Sequence, residues 1–172
     1  MADARTAILI TLDVNHEGGY QRNPRDRANW TGGEVGKGEL VGTNGGITAL
    51  DVPLGTDIEH MTEEFKINYY YLGGKYWKPL YSQIASQVVA NKIFDLGVLF
   101  GVGTTVEYLQ EVVGLKPDGL FGPETLLAVN AEHDTTLLPA FKSRLHQYVK
   151  DVVEKRPTDA EFASDWNRRI DS

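Results

Sequence analysis

Asn15-His16-Glu17-Gly18-Gly19-Tyr20 divides this chain into two kinds of sequence. Before it, Ala4 to His16 carries Ala7, Ile8, Ile10, Leu12 and Val14 behind Asp3, a helix N-cap type. That spacing predicts a helix over 4–16, with a short strand as the other reading of so brief a run. Two consecutive glycines then stop it. After it, from Tyr20 to about Glu59, Gly32, Gly33, Gly36, Gly38, Gly42, Gly45, Gly46 and Gly55 stand among Pro24, Pro53 and three asparagines, with no helical period. A long irregular stretch inside a compact domain is usually functional. Short strand pieces around Gly38–Gly42 and Ile47–Leu50 would order it.

Beyond Met61 the pattern becomes helical again. Thr62 is placed to cap a helix ending near Gly73-Gly74, and a second helix is expected from Lys78 to about Phe94, with Pro79 in its first turn. That helix is very apolar and extends toward Gly101, so it reads as buried. Thr104 or Thr105 would cap Val106–Val113, with Gly114 as the stop. A turn-rich link, Lys116 to Pro123, leads into Glu124–Ala131. A long amphipathic helix over 136–154 and a short one over 159–168 close the chain. The fold class expected is therefore mainly α, with one glycine-rich, partly β region near the N-terminus.

The chain has 172 residues and a formal charge of −7. At 41% hydrophobic and 24% charged it has the balance of a globular domain rather than a disordered chain. The acidic balance and the lack of any Lys/Arg run argue against nucleic acid, where cations must neutralise phosphates. No stretch approaches the roughly 20 apolar residues of a membrane span, and the N-terminus lacks a signal-peptide core. Without cysteine, disulfides and thiolate metal sites are excluded. His16, His60, His133 and His146 show no metal-ligand spacing, and no serine elbow or complete dinucleotide fingerprint is present.

Chemistry is expected first at Glu17. A carboxylate at a helix end is held by that helix, and the glycines beside it allow a ligand to approach. Screened from water, such a group is raised in pKa and serves as a general acid; a surface residue beside a helix-ending Gly-Gly is the other account of Glu17. Asp26, nine positions on, would face it across a groove, the arrangement of two carboxylates that glycoside hydrolysis uses. Ordinary turn chemistry after Pro24 is the other account of Asp26. Glu34 and Glu39 are lesser candidates. Tyr69, Tyr70, Tyr71, Tyr76, Trp77 and Tyr81 read first as packing, with one or two of them free to stack on sugar.

Several stretches resemble one family. Glu17-Gly18-Gly19-Tyr20, Asn29-Trp30-Thr31-Gly32-Gly33, Val35-Gly36-Lys37-Gly38-Glu39-Leu40, Gly42-Thr43 and Gly46-Ile47-Thr48-Ala49 are similar to glycoside hydrolase family 108, which groups N-acetylmuramidases and phage endolysins with proteins once named secretion activators. Leu109-Gln110, Asp118 to Thr125 and Trp166-Asn167-Arg168-Arg169 resemble that family's peptidoglycan-binding-like region.

The resemblance implies a lysozyme-like helical domain spanning 1–172, with a catalytic part over 1–101 and a peptidoglycan-binding-like part over 102–172. It implies Glu17 as the catalytic acid. The order Glu17, Asp26, Thr43 is similar to that of small phage lysozymes, which makes Asp26 the candidate for stabilising the transition state or orienting the attacking water, and Thr43 the candidate for positioning that water or a substrate hydroxyl. Tyr20, Trp30 and Tyr76 are the expected sugar contacts, with core packing the rival for Tyr76. The expected partner is the peptidoglycan glycan strand, met by a monomer without metal or cofactor. An endolysin of this kind waits in the host cytoplasm until a separate protein opens the membrane. The rival readings are a non-catalytic wall-binding or secretion-related protein and a lytic transglycosylase.

Overall fold

A computed structural model of the chain describes residues 1–14, 19–72 and 74–172, with the main chain alone at Asp13 and Val14. The first run is a helix, α1 (Ala4–Val14), and not a strand. Asp3 fixes its start, its carboxylate accepting from the Thr6 N–H and the Thr6 hydroxyl, both at 2.7 Å. Its apolar face, led by the fully buried Ala7 and Ile8, packs on a central helix, α3 (Gln87–Phe100). The Glu17 segment lies outside the described residues.

The glycine-rich stretch is an antiparallel ribbon. Strands β1 (Thr43–Asn44) and β2 (Ile47–Thr48) pair across Gly45-Gly46, both at positive φ (57° and 74°) as a tight hairpin turn of the primed kind requires. Bridges Gln21↔Thr43 and Trp30↔Leu40 extend it backward. The expected strand piece near Gly38–Gly42 is thus a single bridge at Leu40, with the regular pairing shifted on to Thr43. The Tyr70 hydroxyl donates to the Gly45 carbonyl (2.8 Å), fastening the hairpin to α2 (Glu63–Leu72), whose start Thr62 caps through the Phe65 N–H (3.1 Å).

The helix expected over Lys78–Phe94 is split. Pro79–Gln83 forms a 3-10 helix, Ile84 is extended, and α3 starts afresh at Gln87. Asn130 competes for the intervening main chain, accepting from the Ala85 N–H (2.8 Å) and donating to the Gln83 carbonyl (3.0 Å). Ser86 then caps α3 through the Val89 N–H (3.3 Å) and donates to Asp134 (2.6 Å). Val89, Ala90, Ile93, Phe94 and Leu96 make α3 the buried axis of the molecule, as its apolar sequence predicts.

The remaining helices wrap that axis. The helix α4 (Val102–Val112) begins directly after Gly101, earlier than Thr104 or Thr105 would place it. Thr105 is instead buried, and its hydroxyl donates to the Leu96 carbonyl of α3 (2.9 Å). α5 (Pro123–Ala131) and α6 (Asp134–Lys155) follow, the latter burying Leu137, Phe141, Leu145, Val149 and Val152 along one face. The last expected helix is a 3-10 turn (Pro157–Phe162) leading into α7 (Ala163–Asp171). α7 docks on α3 through buried Arg169, whose Nε donates to Asp95 at 2.9 Å. No described helix is long and apolar enough to cross a membrane.

Candidate active site

Asn23-Pro24-Arg25-Asp26 is a tight turn closed by the Asp26 N–H on the Asn23 carbonyl (3.2 Å), with proline where such turns prefer it. The Asn23 side chain supports the turn from within, its Oδ1 accepting from the Arg25 N–H (3.0 Å). Half-buried Asp26 caps the 3-10 helix Arg27–Asn29, its Oδ1 accepting from the Ala28 N–H (2.9 Å). The turn chemistry anticipated for Asp26 is therefore present, and it uses one carboxylate oxygen.

Asn29 ends that helix with no exposed surface at all. Its main-chain carbonyl accepts from the Val41 and Gly42 N–H groups (2.9 and 3.1 Å). Its side chain gathers the surrounding segments. Nδ2 donates to the Asn23 carbonyl (3.0 Å) and to Gln21 Oε1 (2.9 Å), while Oδ1 accepts from Gln21 Nε2 (3.2 Å) and from the Thr43 hydroxyl (2.5 Å). A buried polar group must be satisfied or costs free energy, and here satisfaction requires the Asp26 turn and Thr43 to sit on one centre. Gln21 and Thr43 also exchange main-chain hydrogen bonds of 2.8 and 2.9 Å.

Side chains alternate across a ribbon, so pairing Gln21 with Thr43 sends Tyr20 and Arg22 to the opposite face. There the Tyr20 ring lies against Gly42, whose φ is +92°. A Cβ at Gly42 would stand 2.5 Å from the Gln21 carbonyl oxygen and 2.6 Å from the Tyr20 ring, so only glycine fits. The Tyr20 hydroxyl donates to the Val41 carbonyl (3.2 Å). On that face a groove of about 290 Å³ opens, lined by Tyr20, Arg22, Glu39, Asp57 and Glu59 among others.

Of the other expected sugar contacts, Trp30 lies beside the Asp26 turn, its indole N–H donating to the Pro24 carbonyl (2.9 Å). Tyr76 belongs to a separate aromatic cluster, 5.3 Å from Tyr70 and 6.4 Å from Tyr69 between ring centroids, with Lys75 Nζ 4.9 Å above its ring. Burial, with Asp51 alongside, holds the Tyr69 phenol well above its usual range. The described structure thus brings Asp26, Thr43 and Trp30 around one centre, and places Tyr20 and Tyr76 elsewhere. Glu17 lies outside the described residues. Asn29 and Gln21 are the residues that sequence reasoning missed. Asn29 opens the Asn29-Trp30-Thr31-Gly32-Gly33 motif, but nothing in a polar loop marks one asparagine as buried. Among the described residues no group of three His, Asp or Glu could hold a metal.

The C-terminal helices carry a second organised loop. Buried Gln110 on α4 donates to Asp118 Oδ1 (2.8 Å), the Leu120 carbonyl (3.1 Å) and Thr125 (3.0 Å), and accepts from the Asp118 and Gly119 N–H groups (2.9 and 3.1 Å). The Asp118-Gly119-Leu120-Phe121-Gly122-Pro123 link is held by this amide together with its own turn bonds, the Leu120 N–H donating to Asp118 Oδ1 (2.8 Å) and the Gly122 N–H to the Leu120 carbonyl (2.9 Å).

Residues 104–171, which contain that loop, match the family described as "Predicted Peptidoglycan domain". The match relates the chain to peptidoglycan. Solved structures also match, among them SagA of Brucella abortus, with a TM-score of 0.71 at 22% identity over 98% of this chain and 89% of that one. The likeness concerns the fold, and the mainly α, lysozyme-like expectation stands. No curated protein matches the chain.

Proposed function

We propose that the protein is an N-acetylmuramidase that hydrolyses the β-1,4 bond between N-acetylmuramic acid and N-acetylglucosamine, as the family 108 resemblance implies. The observation that carries this reading is the Asn29 centre, whose side chain joins the turn that carries Asp26 to Thr43, in a segment that starts a few residues after Glu17. In this reading Glu17 protonates the glycosidic oxygen, Asp26 stabilises the oxocarbenium-like transition state through the oxygen it does not spend on Ala28, and Thr43 places the attacking water. Trp30 stacks beside a sugar, with Tyr20 and Tyr76 as outlying contacts. The part over 1–101 supplies the chemistry, and the part over 102–172 holds the wall.

The test is digestion of purified peptidoglycan, borohydride reduction and mass spectrometry, with Glu17→Gln beside the wild type. Reduced muramic-acid ends that disappear in Glu17→Gln are expected. Anhydro ends would replace the muramidase by a lytic transglycosylase, and no products from the wild type would leave a wall-binding protein.

A further inference from the structure

Thr43 reaches its surroundings through a hydroxyl whose direction is set by two amides. The Asn23 main-chain N–H donates to the Gln21 side-chain oxygen (2.8 Å), and the Asn23 main-chain carbonyl accepts from the Asn29 side-chain nitrogen (3.0 Å). A main-chain N–H only donates and a main-chain carbonyl only accepts, so these two contacts fix which end of each amide is which. The amides then lock to each other reciprocally, Asn29 Nδ2 to Gln21 Oε1 and Gln21 Nε2 to Asn29 Oδ1. The atom 2.5 Å from Thr43 Oγ1 is therefore a carbonyl oxygen. It has no proton to give, so the single hydroxyl proton of Thr43 lies on that bond.

We propose that Asn29 is a positioning residue that turns Thr43 into a hydrogen-bond acceptor only, suited to the attacking water and closed to any sugar carbonyl. What remains on Thr43 Oγ1 is lone-pair density, and no described residue donates to it. A partner must bring a proton. Water does so and keeps its own lone pairs for the anomeric carbon, whereas the acetamido carbonyl of the substrate finds no donor here. Gln21 acts through Asn29 by holding its plane. This inference rests on the muramidase reading, because a transglycosylase uses no attacking water.

The experiment measures initial rates of reducing-end release over a range of purified peptidoglycan concentrations. It compares the wild type with Asn29→Leu, Thr43→Val and the double variant, with thermal melting to confirm folding. Each single variant is expected to lower kcat by roughly tenfold to a hundredfold, the scale of a misplaced reacting group, with KM changed little. The double variant is expected to lose clearly less than the product of the two single losses, since the part of the Asn29 effect that runs through the Thr43 hydroxyl is already gone, while the part that runs through the Asn23 carbonyl of the Asp26 turn remains. Losses that multiply in the double variant, or an Asn29→Leu enzyme with unchanged kcat, would overturn the proposal while leaving the muramidase reading intact. Should Asn29→Leu fail to fold, Gln21→Met at an exposed position carries the same test: a smaller loss of kcat that shrinks in the Thr43→Val background is expected, and its persistence there in full would overturn the proposal. An inactive wild type, or one yielding anhydro ends, overturns both readings.

Discussion

Gln110 and Asp118 show how much one residue can decide and how little of it a sequence displays. Asp118 is legible as a turn residue before glycine, and the Leu120 main-chain N–H and the Gln110 amide hold its carboxyl below its ordinary 3.8. A carboxyl depressed by folding stabilises the protein above its unfolded pKa, and that contribution is lost as pH falls through the lowered value. The melting temperature of the wild type is therefore expected to fall more steeply than that of Asp118→Asn between about pH 5 and about pH 2, where the linkage acts. Parallel curves in a thermal-shift titration would count against it. Gln110 itself reads in the sequence as one more polar residue on a helix. Asn29 is hidden for the same reason: its burial depends on a partner 14 positions away in Thr43, a pairing no local pattern announces. Glu17, by contrast, is conspicuous from six residues.

At the scale of elements, local caps were legible and competition for main chain was not. Asp3 and Thr62 start their helices as their residue types predict. The continuous helix expected from Lys78 fails because the Asn130 amide, 45 and 47 positions away, takes the Ala85 N–H and the Gln83 carbonyl. Ser86 then restarts the helix and ties its first turn to Asp134 on α6. Removing the hydroxyl in Ser86→Ala deletes a cap and a bond between helices together. Chemical denaturation is expected to show a loss of about 1–2 kcal/mol, the upper part of the range for a lost cap. A change of a few tenths would mean that the exposed end of α3 is held by packing alone. Thr105 teaches the complementary lesson: a good capping residue type, drawn instead into the interior to satisfy Leu96 of the preceding helix.

For the whole molecule, the charge of −7 sets the terms of its meeting with an anionic wall. Like-charge repulsion slows encounter, and salt at about 0.1 M screens it beyond about 10 Å. Under the proposed muramidase activity, lysis of whole cells, followed by turbidity, is expected to speed up from low to moderate salt. A steady decline from the lowest salt upward would show that a local basic surface governs approach. The architecture as a class, helices around an apolar axis beside one partly β region, was legible because hydrophobic period and glycine density are local properties. The contact between the last helix and the buried axis was not.

That contact has a consequence for how such a chain can be inherited. Arg169 closes the matched stretch 104–171, yet the carboxylate it needs, Asp95, lies 74 positions upstream on the buried axis. Cut free of its first hundred residues, the stretch would carry a guanidinium built for an interior that is no longer there, and Thr105 would lose the Leu96 carbonyl. A segment recognisable by sequence is not for that reason a cassette. Recombination that moved it alone would carry Arg169 and Thr105 away from Asp95 and the Leu96 carbonyl, the partners they have in this fold.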